Sequence, residues 1–210
     1  MRNKAGIFCM LLGAVLVLGA LFLFIRNEDE SDDAGAFSQD VMPELQDEIL
    51  QALQTAPTTL DDSENTPVEL LRPEDVVMTE KYIKGYPYIG YLTIPDLELE
   101  LPVMSNWDSK RLTISPCRFM GTVKGEDIVI MAHNYKSHFG RLNTLKTGSK
   151  ILFTDMDGNV FTYEVVAFEV LQPNQVEDLC ITDWDLTLFT CTIGGRTRFV
   201  VRCEKLKTPY

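Results

Sequence analysis

The sequence predicts an all-β domain of about eight strands, a barrel or a sandwich, behind one N-terminal transmembrane helix. Three observations predict it. An uncharged apolar run, Ala5–Ile25, lies near the start. A strongly acidic tract follows it. From Lys81 onward, short apolar or alternating runs recur between turn signals, with little helical periodicity.

The 210 residues carry a net charge of −12, unevenly spread. Residues 26–80 hold 16 acids against two arginines, whereas residues 81–210 hold 15 acids and 15 bases. The folded part is therefore balanced and has no basic face of the kind that nucleic acid selects. The five cysteines contain no CxxC pair, which excludes both the usual zinc spacing and a dense disulfide framework.

At about 1.5 Å per residue, Ala5–Ile25 covers roughly 30 Å, the thickness of a bilayer core. Arg2 and Lys4 precede it; Arg26 and then Glu28, Asp29, Glu30, Asp32 and Asp33 follow. The positive-inside rule puts the N-terminus in the cytoplasm and the rest outside. The alternative is a cleaved signal peptide. That needs a shorter apolar core and a small-x-small cleavage site, and no clear one precedes the acidic run. The expected organisation is an anchor over residues 1–26, an acidic extracellular stalk over 27–80 and a folded domain over 81–210.

The tract 27–75 is rich in Pro, Ser, Thr and Gln besides its acids. Such a composition buries too little apolar surface to offset chain entropy, and so predicts a tether. Within it, Pro43–Leu53 has an apolar stripe of Leu45, Ile49, Leu50 and Leu53, with Pro43 suited to a first helical turn. This segment either docks on the domain, faces the membrane or forms a transient helix in the tether.

In the domain, Tyr88–Ile94 and Leu97–Val103 read as strands around the turn Pro95-Asp96, with Leu97, Leu99 and Leu101 alternating with Glu98 and Glu100. Trp107–Leu112 suits a short helix capped by Asn106 or Asp108. Asp127–Ala132 reads as a central strand ending at His133-Asn134-Tyr135. Phe139–Leu145 suits a helical turn. Lys150–Asp155 and Val160–Leu171 flank the turn Asp157-Gly158-Asn159, and Gln172–Asp185 reads as an acidic loop. Leu186–Arg202 closes the series as a hairpin around Gly194-Gly195.

The chemistry concentrates on that hairpin. Its first strand ends on Cys191, and its second begins near Arg196 and Arg198. A Cys/Arg hairpin taken alone is more often a buried thiol and a solvated guanidinium. His133, one of only two histidines, changes the balance because it too ends an apolar strand, and a sheet can bring two strand ends together. Acyl transfer through cysteine needs a thiolate, a proton carrier and a group that holds the oxyanion. Cys191, His133 and an arginine supply those roles. Strand alternation sets Arg198, Val200 and Arg202 on one face, whereas Arg196 falls in the turn.

T-L-F-T-C followed by R-F-V-V, with A-H-N-Y upstream and Y-I-G-Y-L-T-I-P-D-L-E-L-E-L-P-V near the start, resembles the sortases, over roughly Tyr88–Lys205. The resemblance implies an eight-stranded β-barrel and a membrane-tethered cysteine transpeptidase of Gram-positive bacteria. Such an enzyme cleaves an LPxTG-like sorting signal on a surface protein and passes the acyl group to an amine, on a cell-wall precursor or a pilin lysine. It implies Cys191 as nucleophile, His133 as general acid then base, and Arg198 as the oxyanion's cation, with Thr190, Leu188 and Asn134 as substrate contacts. The Cys-to-Arg connection T-I-G-G-R-T is short and lacks the family's proline, which leaves the acceptor open. The class is also open. H-N-Y-K-S-H-F-G-R-L has a class B flavour, but the long helical insertion of that class is missing, and no DPW- or DPF-like lid motif precedes Tyr88.

The resemblance implies no obligatory cofactor. Some sortases bind calcium, and Glu177, Asp178, Asp183 and Asp185, with Glu126 and Asp127, are the carboxylates that could do so; a solvated acidic loop is the simpler reading. Cys117, Cys180 and Cys203 suit small core residues, with a disulfide outside the cell as the alternative, and His138 is expected as a surface or substrate-loop residue. Two other readings compete with a sortase. An L,D-transpeptidase would need an S-x-G-C-type motif that is absent. A tethered β-barrel binding or assembly module would need no working thiol.

Overall fold

The computed structural model describes residues 2–55, 77–180, 183–192 and 194–207. Nine strands form one sheet: β1 (Lys81–Ile83), β2 (Tyr86–Ile94), β3 (Leu99–Met104), β4 (Cys117–Met120), β5 (Ile128–Met131), β6 (Lys150–Asp155), β7 (Val160–Leu171), β8 (Leu186–Cys191) and β9 (Arg198–Lys205). Their order is β1-β2-β3-β4-β5-β8-β9-β7-β6, and β6 pairs back onto β2. Eight strands therefore close a barrel, and β1 extends β2 as a short flap outside the closure. Closure satisfies the backbone groups that an open edge would leave unpaired.

Side-chain alternation divides the barrel wall. Ile128, Ile130 and Ala132, Leu186 and Leu188, and Val201 and Cys203 point into the main core with Ile89, Leu92, Phe153 and Tyr163. The intervening Val129, Phe189 and Val200 point outward and join Leu171 and Leu179 in a smaller cluster. That second cluster lies under the short helix α3 (Val176–Leu179), the one regular turn in the expected Gln172–Asp185 loop. Helix α2 (Ser109–Leu112) is capped by Asp108, whose carboxylate accepts the amides of Lys110 and Arg111 at 2.8 Å.

The tract expected as a tether differs most. A single helix, α1 (Arg2–Thr55), runs from the apolar run into the acidic tract. It is long and apolar enough to cross a membrane, and its apolar window is unburied. Beyond that window it lies against the barrel. Ser31, Ala34, Ser38, Val41, Met42, Leu45 and Ile49 are buried, at the three- and four-residue spacing of one helix face. Val41, Leu45 and Ile49 pack with Ile83, Tyr88, Met104, Cys117 and Met156. Burying each such side chain stabilises by about 1.5–3 kcal/mol, which outweighs the tract's polar composition. Lys81 pairs with Glu48 and Lys84 with Asp40, so part of the acidic charge is matched by the flap. Pro43 lies inside this helix rather than at its start. Residues 56–76, the rest of the expected stalk, lie outside the described residues.

Candidate active site

Cys191 and Arg198 stand opposite one another in the antiparallel register of β8 and β9. On the other side of β8, the parallel register pairs Met131 with Phe189. Two residues further on, the same register brings His133 level with Cys191. The rung between is held by the Ala132 amide donating to the Phe189 carbonyl at 3.2 Å, and by the Thr190 hydroxyl donating to the Ala132 carbonyl at 2.8 Å. His133 just past β5, Cys191 at the end of β8 and Arg198 at the start of β9 thus fall in one row of backbone positions. They take the outward face of the wall, above Phe189 and Val200. Cys191, His133 and Arg198 are all half-buried.

The row follows from local sequence. Apolar residues hold β5 and β8 in the core up to Ala132 and Thr190, and the chain emerges at the next residue. Gly194 and Gly195, with φ of 81° and 69°, turn the hairpin in the left-handed region that other residues disfavour. Thr192 fastens the turn by accepting the Thr197 amide at 3.2 Å and donating its own amide to the Thr197 carbonyl at 3.0 Å. Among the described residues, the Arg198 guanidinium makes only long contacts, 3.4 Å to the carbonyls of Gly195 and Thr197. Arg196 is exposed in the turn, away from the row.

His133 leads a tight loop. Its carbonyl accepts the Phe139 amide at 3.2 Å, and the Tyr135 carbonyl accepts the amides of His138 and Gly140 at 3.0 and 2.9 Å. A Cβ on Gly140 would fall 2.5 Å from the Asn134 carbonyl oxygen, so only glycine lets the loop close this tightly. Burial holds the His133 imidazole below its ordinary pKa, and the Glu30 carboxylate offsets part of that shift. His138 differs from its expected place. It is fully buried, neither ring nitrogen makes a well-formed hydrogen bond among the described residues, and burial lowers it to about 4, with His133 adding in the same direction and the nearby Ile114 backbone opposing.

A cavity of about 450 Å³ opens beside the thiol, lined by Asn134, Phe139, Gly140, Asn143, Thr190, Cys191, Thr192 and Phe199. Thr190 and Asn134, two expected substrate contacts, line it. Leu188, the third, is fully buried in the barrel core, because β8 alternation turns it inward; its role is packing. A larger hollow of about 650 Å³ lies between α1 and β2–β3 and contains none of the row's residues. The smaller cavity is the one with a nucleophile in its wall.

The other expected groups serve the frame. Cys117 and Cys203 are buried free thiols; burial pushes Cys117 up to about 12 and raises Cys203 further. Cys180 is a half-buried free thiol on the acidic loop. Among the described residues no three acids, histidines or cysteines gather as a metal site. Glu126 pairs with Lys205, Asp127 accepts the Thr122 amide, Asp178 accepts from Gln175 and Asp185 accepts the Lys205 amide. Arg202, on the same face as Arg198, is a residue whose role the sequence did not disclose. It is 2% exposed and reaches Glu169, the Thr187 hydroxyl and the carbonyls of Asp178 and Leu179, tying α3 to the barrel wall.

Comparison with known proteins agrees with this geometry. A family model described as the sortase domain matches residues 92–206. The chain is 28% identical over 158 residues to Sortase A of Streptococcus agalactiae serotype III (strain NEM316), covering 67% of this chain and 62% of that protein. It thus spans less than two thirds of that relative's length. Sortase C1 of Streptococcus agalactiae superposes with a TM-score of 0.52 at 25% identity, over 58% of this chain and 69% of that one. A lid mutant of sortase A from Corynebacterium diphtheriae shares the fold, with a TM-score of 0.52 at 23% identity over 80% of this chain and 96% of that one. With more than half of its residues inside the matched domain, and a closed barrel like those of the solved structures, the chain belongs to the sortase family.

Proposed function

We propose that this protein is a membrane-anchored cysteine transpeptidase that cleaves an LPxTG-like sorting signal and transfers the acyl part, the protein N-terminal to the cut, to an amine. The observation that carries the reading is the row of His133, Cys191 and Arg198 beside an open cavity.

The Cys191 thiolate attacks the carbonyl carbon of the scissile peptide bond. The resulting oxyanion is stabilised by the Arg198 guanidinium, whose long contacts to its own turn leave donors free to turn toward it. The C–N bond then breaks, the His133 imidazolium gives its proton to the departing amine, and a thioester to Cys191 remains. A second amine attacks that thioester, His133 takes the amine's proton, and the thiolate leaves with an amide formed. Bonds and protons balance over the two steps, and His133 ends protonated as it began.

The donor is a surface protein bearing the sorting signal, and the acceptor is an amine of a cell-wall precursor or a pilin lysine. Charge flanking Ala5–Ile25 favours a cytoplasmic N-terminus and an extracellular barrel. The test incubates the full chain, in detergent, with sorting peptides and a panel of amines, and reads the products by mass spectrometry. Acyl–amine products that vanish in Cys191→Ala are expected. No product or thioester with any peptide would leave a tethered binding module as the better reading.

A further inference from the structure

The histidine of the row is joined to the anchor helix through two side chains that acyl transfer itself does not use. The Tyr135 hydroxyl donates to Glu30 Oε2 of α1 at 3.1 Å. The Tyr135 ring lies 4.9 Å from the His133 ring, tilted by 31°, and 5.6 Å from the His138 ring. Two residues along the same loop, the Ser137 amide donates to the Ser31 hydroxyl at 3.3 Å, and the Ser137 hydroxyl donates to the Ser31 carbonyl. Helix and loop meet closely: a Cβ on Gly35 would lie 3.1 Å from Ser137 Cβ.

We infer that Glu30 and Tyr135 are positioning residues for His133, so that the docked anchor helix completes the working site. The phenol hydroxyl is tied to the helix, which fixes the ring, and the ring face limits how the imidazole can turn. Glu30 also contributes charge. The titratable and charged groups near His133 are Glu30 and its ion-pair partner Arg26 from α1 and Tyr135 and His138 from the loop, with Cys191 and Arg198 level with it in the strand register. Of these, Glu30 is the carboxylate, and its charge favours the imidazolium, the form that protonates a leaving amine.

Glu30→Gln separates the two contributions. It keeps an acceptor for the phenol and removes the charge. Tyr135→Phe keeps the ring and removes its tether. The full chain in detergent micelles, labelled at histidine, is titrated by NMR. Only two histidines are present, and His138→Leu in the same background assigns the His133 signal. Glu30→Gln moves the His133 midpoint to lower pH. In the peptide-cleavage assay, the alkaline limb of kcat/KM moves in the same direction. Tyr135→Phe lowers kcat by about ten-fold with the peptide KM little changed, because a misaligned proton carrier weakens the chemical step rather than binding. Asp40→Asn, which loosens the helix at Lys84 and away from the loop, serves as the control and leaves both readouts unchanged.

An unmoved His133 midpoint in Glu30→Gln overturns the inference, as does an unchanged kcat in Tyr135→Phe or an equal effect in Asp40→Asn. The rate arm rests on the transpeptidase reading, whereas the titration arm does not. A wild-type chain inert toward every peptide would sink that reading, and the titration alone would then decide this one.

Discussion

Cys191 and Arg198 are register partners on β8 and β9, while Arg196, two residues earlier, sits exposed in the turn. The two arginines are close in sequence and unequal in place. Arg198→Ala should lose roughly a hundred-fold or more in kcat, the loss typical of removing one oxyanion donor. Arg196→Ala should stay within a few-fold. Equal or reversed losses in a peptide-cleavage assay would remove Arg198 from its proposed role.

The thiols should divide by exposure. A sorting peptide with an electrophile in place of its scissile bond should label Cys191 and leave buried Cys117 and Cys203 unmodified. Peptide mapping by mass spectrometry reads this directly. Labelling that persists at the same level in Cys191→Ala would point to another nucleophile.

Arg202 should matter for stability. Truncating it leaves the carbonyls of Asp178 and Leu179 and the Thr187 hydroxyl without their donor. Arg202→Ala should destabilise the barrel by about 3 kcal/mol in urea unfolding. Glu169 is 37% exposed, so Glu169→Gln should cost less than about 1 kcal/mol. Similar losses in the two variants would mean that the ion pair, rather than the carbonyl contacts, holds α3.

His138 gives a pH dependence. Its folded pKa of about 4 lies below its ordinary value of 6.5, so the unfolded chain binds the proton more readily between those limits. Stability from this group is fully present above pH 6.5 and falls as pH drops toward 4, by about 3 kcal/mol across the window. Urea unfolding at several pH values should show that slope, and His138→Leu should flatten it. A slope unchanged in the variant would assign the acid sensitivity elsewhere.

Much of the barrel was legible in the sequence. Lys150–Asp155 and Val160–Leu171 are strands with the bounds that their patterns suggest, and the Gly194-Gly195 turn joins β8 to β9. β4 escaped notice because Cys117–Met120 is short, with one buried residue followed by three half-buried ones, so no alternation marks it. Leu97 is buried as the alternation predicts, but the strand starts later: Pro95–Leu97 is a 3-10 turn, and Glu98 takes a left-handed conformation before β3 begins.

The reach of the docked helix was hidden for another reason. Close contacts with the histidine loop use Ser31 and Gly35, small residues that add no apolar signal to an acidic stretch. Tyr135 stood in the A-H-N-Y motif, but nothing in the sequence marked Glu30, more than a hundred positions away, as its partner.

The unbroken course of α1 makes it a ruler as well as a tether. With Ala5–Ile25 in a bilayer, Glu30 lies only five residues past the last apolar position, about 8 Å along the helix axis. The histidine loop that Glu30 grips is then held at the level of the lipid headgroups. A substrate presented from a neighbouring membrane helix meets the site by sliding in two dimensions, whereas a free peptide must find it from bulk solution. On the proposed transpeptidase reading, the number of residues between a sorting motif and its own membrane span would then become a selection rule that the barrel alone does not impose.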